Sequence, residues 1–252
     1  MDPLGATPRD IEPPDRWPHG WNVRLVNATG STNTDLIGLA EAGAADRTVR
    51  VARHQTAGRG RLDRTWQAPS GANLLASLLL RDVPQHPHEL TWRVGLAARA
   101  ACLAVAGCET QLKWPNDLLL DGAKIAGILA QAGSSAASGA GPASGPYVVV
   151  GIGLNVRWAP PGAACLGRQF DPLDVLVEML RAYDRLPADI WPVYRQTLHT
   201  LGREVRVELP DGSFVVGRAI DVERDGRLVV LDQCGLTSRF ATADIVHLRA
   251  PG

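Results

Sequence analysis

The sequence predicts an α+β protein in two parts, a larger unit over residues 21–200 and a small all-β unit over residues 201–252. Three observations carry this expectation. Up to residue 200, apolar runs of strand length are interspersed with helical patterns, one of them alanine-rich. After Gly202 only short strand-like segments remain, separated by Asp-Gly turns. Hydrophobic residues make up 45% of the 252, enough for a real core.

The elements follow in order. Residues 1–20 carry Pro3, Pro8, Pro13, Pro14 and Pro18 among charges and read as a mobile tail. Twenty such residues cannot build a helix-turn-helix module. Ser31 and Thr32 precede a capped helix that ends near Gly43, and TVRVARHQ alternates as a strand. GANLLASLLLR reads as a buried strand, and ELTWRVGLAARAACLAVAG as the long helix that packs on the sheet and closes at Gly107. LKWP and DLLL are strand-like, and Asp121-Gly122 offers a tight hairpin into AKIAGILAQ. Residues 133–146, GSSAASGAGPASGP, read as a floppy connection between strands. YVVVGIGLNV is a core strand, and two helices broken near Pro187 follow it. The last fifty residues read as a small barrel of about five strands, of the SH3-like kind.

Composition excludes several classes of function. Basic and acidic residues balance at 26 each, so no overall field is available to hold nucleic acid or an anionic membrane, and any phosphate binding must come from a local cluster. Cys102, Cys108, Cys165 and Cys234 are scattered, with no spacing that suggests zinc. No segment has the apolar length of a membrane helix and no secretory signal is evident, so the expected location is the cytoplasm.

Four motifs carry chemistry. In HQTAGRGRLDRTW, residues 54–66, Gly58 and Gly60 permit close backbone approach, while Arg59, Arg61 and Arg64 crowd three permanent cations together. Their repulsion is expected to hold the loop open until an anion arrives. In KWPNDLLLDGAKIAGI, residues 113–128, strict alternation puts Lys124, Ala126 and Ile128 on one face and Ile125, Gly127 and Leu129 on the other. A lysine among apolar strand residues needs a polar cavity and a counter-charge, for which Asp117 is the candidate; a lysine snorkelling at the sheet rim fits the same residues. GIGLNV, residues 151–156, places two glycines in a β-branched strand and ends at Asn155, able to read a base edge or to serve as a turn asparagine. GSTN, residues 30–33, is a helix start that offers donors to a polar ligand or is simply a cap.

In this order and spacing, the four motifs resemble the biotin protein ligase family, in its short form without a DNA-binding domain, over roughly residues 27–160. The resemblance implies a class II synthetase-like catalytic domain with a mixed, mainly antiparallel sheet covered by helices on one side, followed by the SH3-like barrel. It implies biotin–[biotin carboxyl carrier protein] ligase activity: biotin condenses with ATP to biotinyl-5′-AMP, and the acyl group passes to a carrier lysine. ATP, Mg2+ and biotin are the implied small molecules, with no metal ligands assigned on the protein. The partner is a biotin carboxyl carrier protein or domain of acyl-CoA or pyruvate carboxylases. Neither nucleic acid nor membrane is implied, and the chain is expected to be a monomer or weak homodimer.

Roles carry over by position. Ser31, Thr32 and Gln55 meet the biotin ring end, with Asn33 beside them. Gly58, Arg59, Gly60 and Arg61 order over the ligand, Arg64 reaches phosphate and Trp66 walls the pocket. Asn116 and Asn155 contact the nucleotide, with Lys113 in the same binding set. Lys124 bonds carboxylate and α-phosphate, Gly127 and Gly151 pack against biotin, and Asp117 positions Lys124 or a magnesium-bound water. The catalytic set is Lys124, Arg59, Arg61 and Asp117. The sequence departs from the family where Asp63 replaces the last glycine of the loop, where Gln131 stands in place of an acid, and in the length of the 133–146 insert. A lipoate ligase, a biotin-sensing regulator and a non-catalytic adenylate-binding scaffold are the alternatives; the arginine loop with KWPND speaks against the first, the short N-terminal segment against the second, and turnover decides the third.

Overall fold

A computed structural model describes residues 16–62, 64–135, 144–209, 212–241 and 244–247. Most of the proline-rich N-terminal segment, Asp63 and the middle of the Gly/Ser-rich insert therefore lie outside the described residues.

The larger part runs β1 (Asn22–Thr29), α1 (Thr32–Glu41), β2 (Thr48–Gln55), β3 (Leu74–Leu80), α2 (Glu89–Ala106), β4 (Gln111–Lys113), β5 (Asp117–Leu120), β6 (Ala123–Ser135), β7 (Gly145–Leu154), α3 (Pro172–Asp184) and α4 (Trp191–Thr197). Its seven strands form one sheet in the order β1-β2-β3-β7-β6-β5-β4. Only β1 and β2 pair in parallel; every other neighbour is antiparallel. The remaining strands, β8 (Glu204–Glu208), β9 (Phe214–Val222), β10 (Leu228–Asp232), β11 (Thr237–Phe240) and β12 (Asp244–His247), form a five-stranded antiparallel sheet. The α+β class, the mixed sheet and the small β unit are those expected.

Local chemistry sets the boundaries. Gly107 takes the left-handed conformation at φ 65°, and the turn returns two N–H groups to Cys102 and Leu103. Asp171 caps α3 by accepting from the Leu173 amide, with Pro172 at the first helical position. Asp121 and Gly122 both have positive φ, as a two-residue hairpin with the strand twist requires. At the Gly/Ser-rich insert the hairpin reaches further than expected, because Gly133, Ser134 and Ser135 pair with Tyr147, Pro146 and Gly145. Backbone ladder bonds need no side chain, so low complexity does not stop a strand whose partner is already in register.

Helices cover both faces of the large sheet, against the expectation of one. Leu74, Ala76 and Leu78 of β3 join α2 and α3 in the main core, whereas Leu79 packs with Leu36 and Ala40 of α1 and with Tyr147 and Val149 of β7. Alternation along β3 and β7 makes these opposite faces. The α1 face is only partly covered, and that leaves room for a site.

The main core continues without a break into Val205, Val207, Ala219, Val222, Leu228 and Val230 of the small sheet. Polar bonds cross the same seam. The Trp114 indole N–H donates to the Gly226 carbonyl at 2.9 Å and its backbone N–H to Thr200 Oγ1 at 2.9 Å. His88 Nε2–H donates to the Arg224 carbonyl at 3.0 Å, with its ring against Gly226.

Burial of His88 against this turn holds its pKa below the ordinary 6.5; the Arg224 bond opposes the shift and Asp225 and Glu89 offset the nearby His86. Above pH 6.5 the ring is neutral in both folded and unfolded chains. As pH falls through 6.5 the unfolded chain takes up the proton first, so stability is lost downward from there. Between pH 7.5 and 5.5 the melting temperature of the wild type is expected to fall more than that of His88→Gln, which keeps a donor. Parallel profiles would remove His88 from the seam's pH response.

Candidate active site

One cavity of about 370 Å³ opens on the α1 face. Its floor is β6 and β7, its inner end the start of α1, its roof the arginine loop between β2 and β3. Among the described residues Arg59, Arg61, Arg64 and Lys124 line it against one carboxylate, Asp117, so these side chains give it a positive field although the chain as a whole is neutral.

A bulge puts Lys124 there. Leu118 of β5 faces Ala126 but Leu119 faces Lys124, so Ile125 is the extra residue on β6. Ile125 and Ala126 are both buried in the main core. The expected alternation therefore fails at this point: Lys124 lies on the Gly127 face, its Nζ 3.2 Å from where a Cβ on Gly127 would sit. Asp117, paired with Gly127 across the ladder, meets Lys124 Nζ at 2.6 Å. The counter-charge inferred from sequence is in place.

The arginine loop is a miniature hairpin. Gly60 N–H donates to the Arg64 carbonyl at 2.6 Å, Trp66 N–H to the Gly58 carbonyl at 2.9 Å, and Arg59 bridges Thr65. Gly58 is required because a Cβ there would sit 2.3 Å from the Trp66 carbonyl oxygen. Gly58 thus shapes the loop from behind instead of lining the cavity. Arg61 reaches across to donate to Asn116 Oδ1 at 3.3 Å, and Asn116 Nδ2 donates to the Ile128 carbonyl at 2.6 Å. The Trp66 ring lies flat on β7: a Cβ on Gly153 would fall 2.4 Å from its Cε2.

At the inner end, Ser31 precedes α1 in an extended conformation but makes no side-chain capping bond, and it lines the cavity. Thr32 N–H and Oγ1 lie 2.7 and 3.0 Å from Gln55 Oε1. Asn33 lies over Gly151, where a Cβ would meet Asn33 Oδ1 at 2.1 Å. Asn155 is buried with both ends of its amide engaged: Oδ1 accepts from Asn73 at 3.0 Å and Nδ2 donates to the Ala164 carbonyl at 3.1 Å. It fastens the segment after β7, which also docks on Lys124 through the Ala164 N–H.

Of the residues expected at the site, Ser31, Thr32, Asn33, Gln55, Arg59, Gly60, Arg61, Arg64, Trp66, Asn116, Asp117, Lys124, Gly127, Gly151 and Asn155 line the cavity. Lys113 does not; it sits in β4 opposite Asp117, outside the walls. The second glycine of GIGLNV, Gly153, was noted in the sequence without a site role, and Asn73 and Ser77 were passed over. A single hydroxyl and a preceding asparagine in the otherwise apolar NLLASLLL run were the available signals for the last two.

Comparison with known proteins agrees with this geometry. Residues 25–141 match the biotin/lipoate A/B protein ligase family and residues 200–248 the biotin protein ligase C-terminal domain. The biotin–[acetyl-CoA-carboxylase] ligase of Mycobacterium tuberculosis is 40% identical over 91% of both chains. The bifunctional ligase/repressor BirA of Bacillus subtilis is 28% identical over 90% of this chain and 74% of its own. A solved biotin protein ligase from Aquifex aeolicus, in complex with biotin and ATP, superposes with a TM-score of 0.72 over 91% of this chain and 99% of that one; at 24% identity it speaks to the fold. With its two matched segments in sequence order, its sheet topology and its cationic cavity on the α1 face, the chain belongs to the biotin protein ligase family.

Proposed function

We propose that this cavity activates biotin with ATP to biotinyl-5′-AMP and presents the acyl group to a lysine of a biotin carboxyl carrier domain of acyl-CoA or pyruvate carboxylases. The observation that carries the reading is the grouping of Lys124 and the three loop arginines around a glycine-floored slot, in a chain of this family.

The chemical difficulty is electrostatic. A carboxylate must attack the α-phosphorus of a polyanion, and pyrophosphate must leave. Bringing two anions together in water is unfavourable, whereas fixed cations at the meeting point remove that cost without reorganising. Lys124 is held at the junction by Asp117 and by the backbone of the Ala164 segment. Arg59, Arg61 and Arg64 come from one hairpin, tied by the Gly60–Arg64 and Trp66–Gly58 bonds. Positioning and charge compensation then suffice, as elsewhere in phosphoryl chemistry. Mg2+ enters with ATP as part of the nucleotide substrate. Among the described residues no group of three His, Cys, Asp or Glu side chains is placed to cage a metal; with MgATP bound, Asp117 would hold a magnesium-bound water and the ion would offset charge on the departing phosphates.

The slot between Trp66, the start of α1 and the β7 glycines takes biotin. The loop above it shields the mixed anhydride from water. In the second step a carrier lysine, deprotonated, attacks the acyl carbon and AMP leaves. Asp117 is the carboxylate at hand to receive that proton, being the only one among the described lining residues.

Replacing Lys124 with alanine is expected to lower biotin-dependent ATP–pyrophosphate exchange by about 10²–10³, the loss seen for a fixed donor at a developing anion. Near-wild-type exchange would take Lys124 out of the mechanism. Gly153→Ala should lift Trp66 off β7 and raise the Kd for biotin more than tenfold with little change in melting temperature; calorimetric titration gives the first and a thermal scan the second. Amides of residues 58–66 should gain protection from hydrogen exchange when biotin and MgATP are added together, and identical exchange with and without them would rule out loop closure.

A further inference from the structure

Ser77 lies at the middle of β3, paired with Gly151, and is completely buried. Its Oγ is 2.7 Å from Thr32 Oγ1 and 2.6 Å from Asn33 Oδ1. The protons in this cluster can be placed by elimination. Asn33 Nδ2 faces the Leu129 carbonyl at 3.2 Å and Gln131 Oε1 at 2.8 Å; a backbone carbonyl only accepts, so the amide orientation of Asn33 is fixed. Asn33 Oδ1 is then an acceptor, and the 2.6 Å contact to Ser77 requires the Ser77 proton. Ser77 has no second proton. The 2.7 Å contact to Thr32 must therefore be made by the Thr32 proton, which has only one other protein acceptor nearby, Gln55 Oε1 at 3.0 Å.

With Ser77 present the Thr32 proton is consumed by Ser77 Oγ, and Thr32 Oγ1 shows the cavity lone pairs alone. Gln55 is fixed in turn, because its Oε1 accepts from the Thr32 backbone N–H at 2.7 Å, which leaves its Nε2 group to donate. The inner end thus asks for an N–H set beside a carbonyl oxygen.

We infer that Ser77 is a specificity-determining positioning residue. It never touches the ligand, but by giving its proton to Asn33 and accepting one from Thr32 it fixes Thr32 as an acceptor, so that the cavity selects a cyclic urea over rings of the same shape with the opposite polarity. This inference rests on biotin being the acid activated. A buried acceptor facing a ligand acceptor is left unpaired and desolvated, which makes such sites strongly discriminating. Removing the Ser77 hydroxyl leaves the Thr32 proton only Gln55 Oε1, which is farther away at 3.0 Å and already takes the Thr32 backbone N–H at 2.7 Å, so the proton can turn to the ligand and the selection relaxes.

The test uses the full chain with MgATP and follows pyrophosphate exchange with biotin and with each of the two cyclic carbamates in which one ureido N–H is replaced by oxygen. Wild-type enzyme is expected to favour biotin over the worse carbamate by more than about a hundredfold in kcat/KM. In Ser77→Ala that ratio should narrow at least tenfold, with KM for biotin raised and kcat nearly unchanged. The ratio is taken within one preparation, so a smaller folded fraction cancels. An unchanged ratio in Ser77→Ala overturns the inference alone. Wild-type enzyme that turns over no biotin overturns the substrate reading, and this inference with it.

Discussion

The ion pair between Lys124 and Asp117 exists because β6 carries one residue more than β5 can match. With regular alternation the lysine would point into the apolar core, where an unpaired ammonium is far too costly to keep. The extra residue, Ile125, takes a core position next to Ala126, and the strand turns its charged neighbour to the opposite face. The other parts of the cavity are arranged about that point. Asp117 holds the ammonium from β5, the segment after β7 grips its backbone, and Trp66 lies over Gly127 beside it.

The glycines of β6 and β7 show the same economy. They leave space, and protein side chains occupy much of it: Asn33 over Gly151, Trp66 over Gly153. A flat-walled slot results, with a polar inner end and a charged outer end. This division suits a molecule that has a neutral hydrogen-bonding ring at one end and a carboxylate at the other. It also explains how a neutral chain binds a polyanion. Charge is gathered on one loop and one bulge, and elsewhere it is cancelled in surface pairs such as Arg195 with Asp221.

Much of this was legible in the sequence. Gly107, Asp171 and Asp121-Gly122 act through their own backbone chemistry, so the elements they end or join could be read locally. The arginine loop, KWPND and GIGLN were legible as chemistry because charges and glycines interrupt apolar runs. What could not be read depended on pairing between distant segments. The bulge at Ile125 exists only relative to β5, and alternation counted along one strand sends Lys124 to the wrong face. The placement of α1 on the second face of the sheet depends on which strands become neighbours. Ser77 drew no notice because a single serine in a leucine-rich strand has meaning only once Thr32 and Asn33 arrive from forty-five residues away. Lys113 shows the opposite case: a lysine inside a recognised motif that does not line the cavity.

The seam between the two sheets bears on how such enzymes can be taken apart. Trp114 belongs to the same short segment as Asn116 and Asp117, yet its indole is satisfied by a carbonyl in the turn joining β9 and β10. The join near residue 200 is therefore a change in architecture and not a line of cleavage. A recombinant that grafts another relative's C-terminal module onto this chain would have to bring that turn in the same geometry, since the graft would otherwise leave a tryptophan N–H stranded three residues from the carboxylate that steadies Lys124.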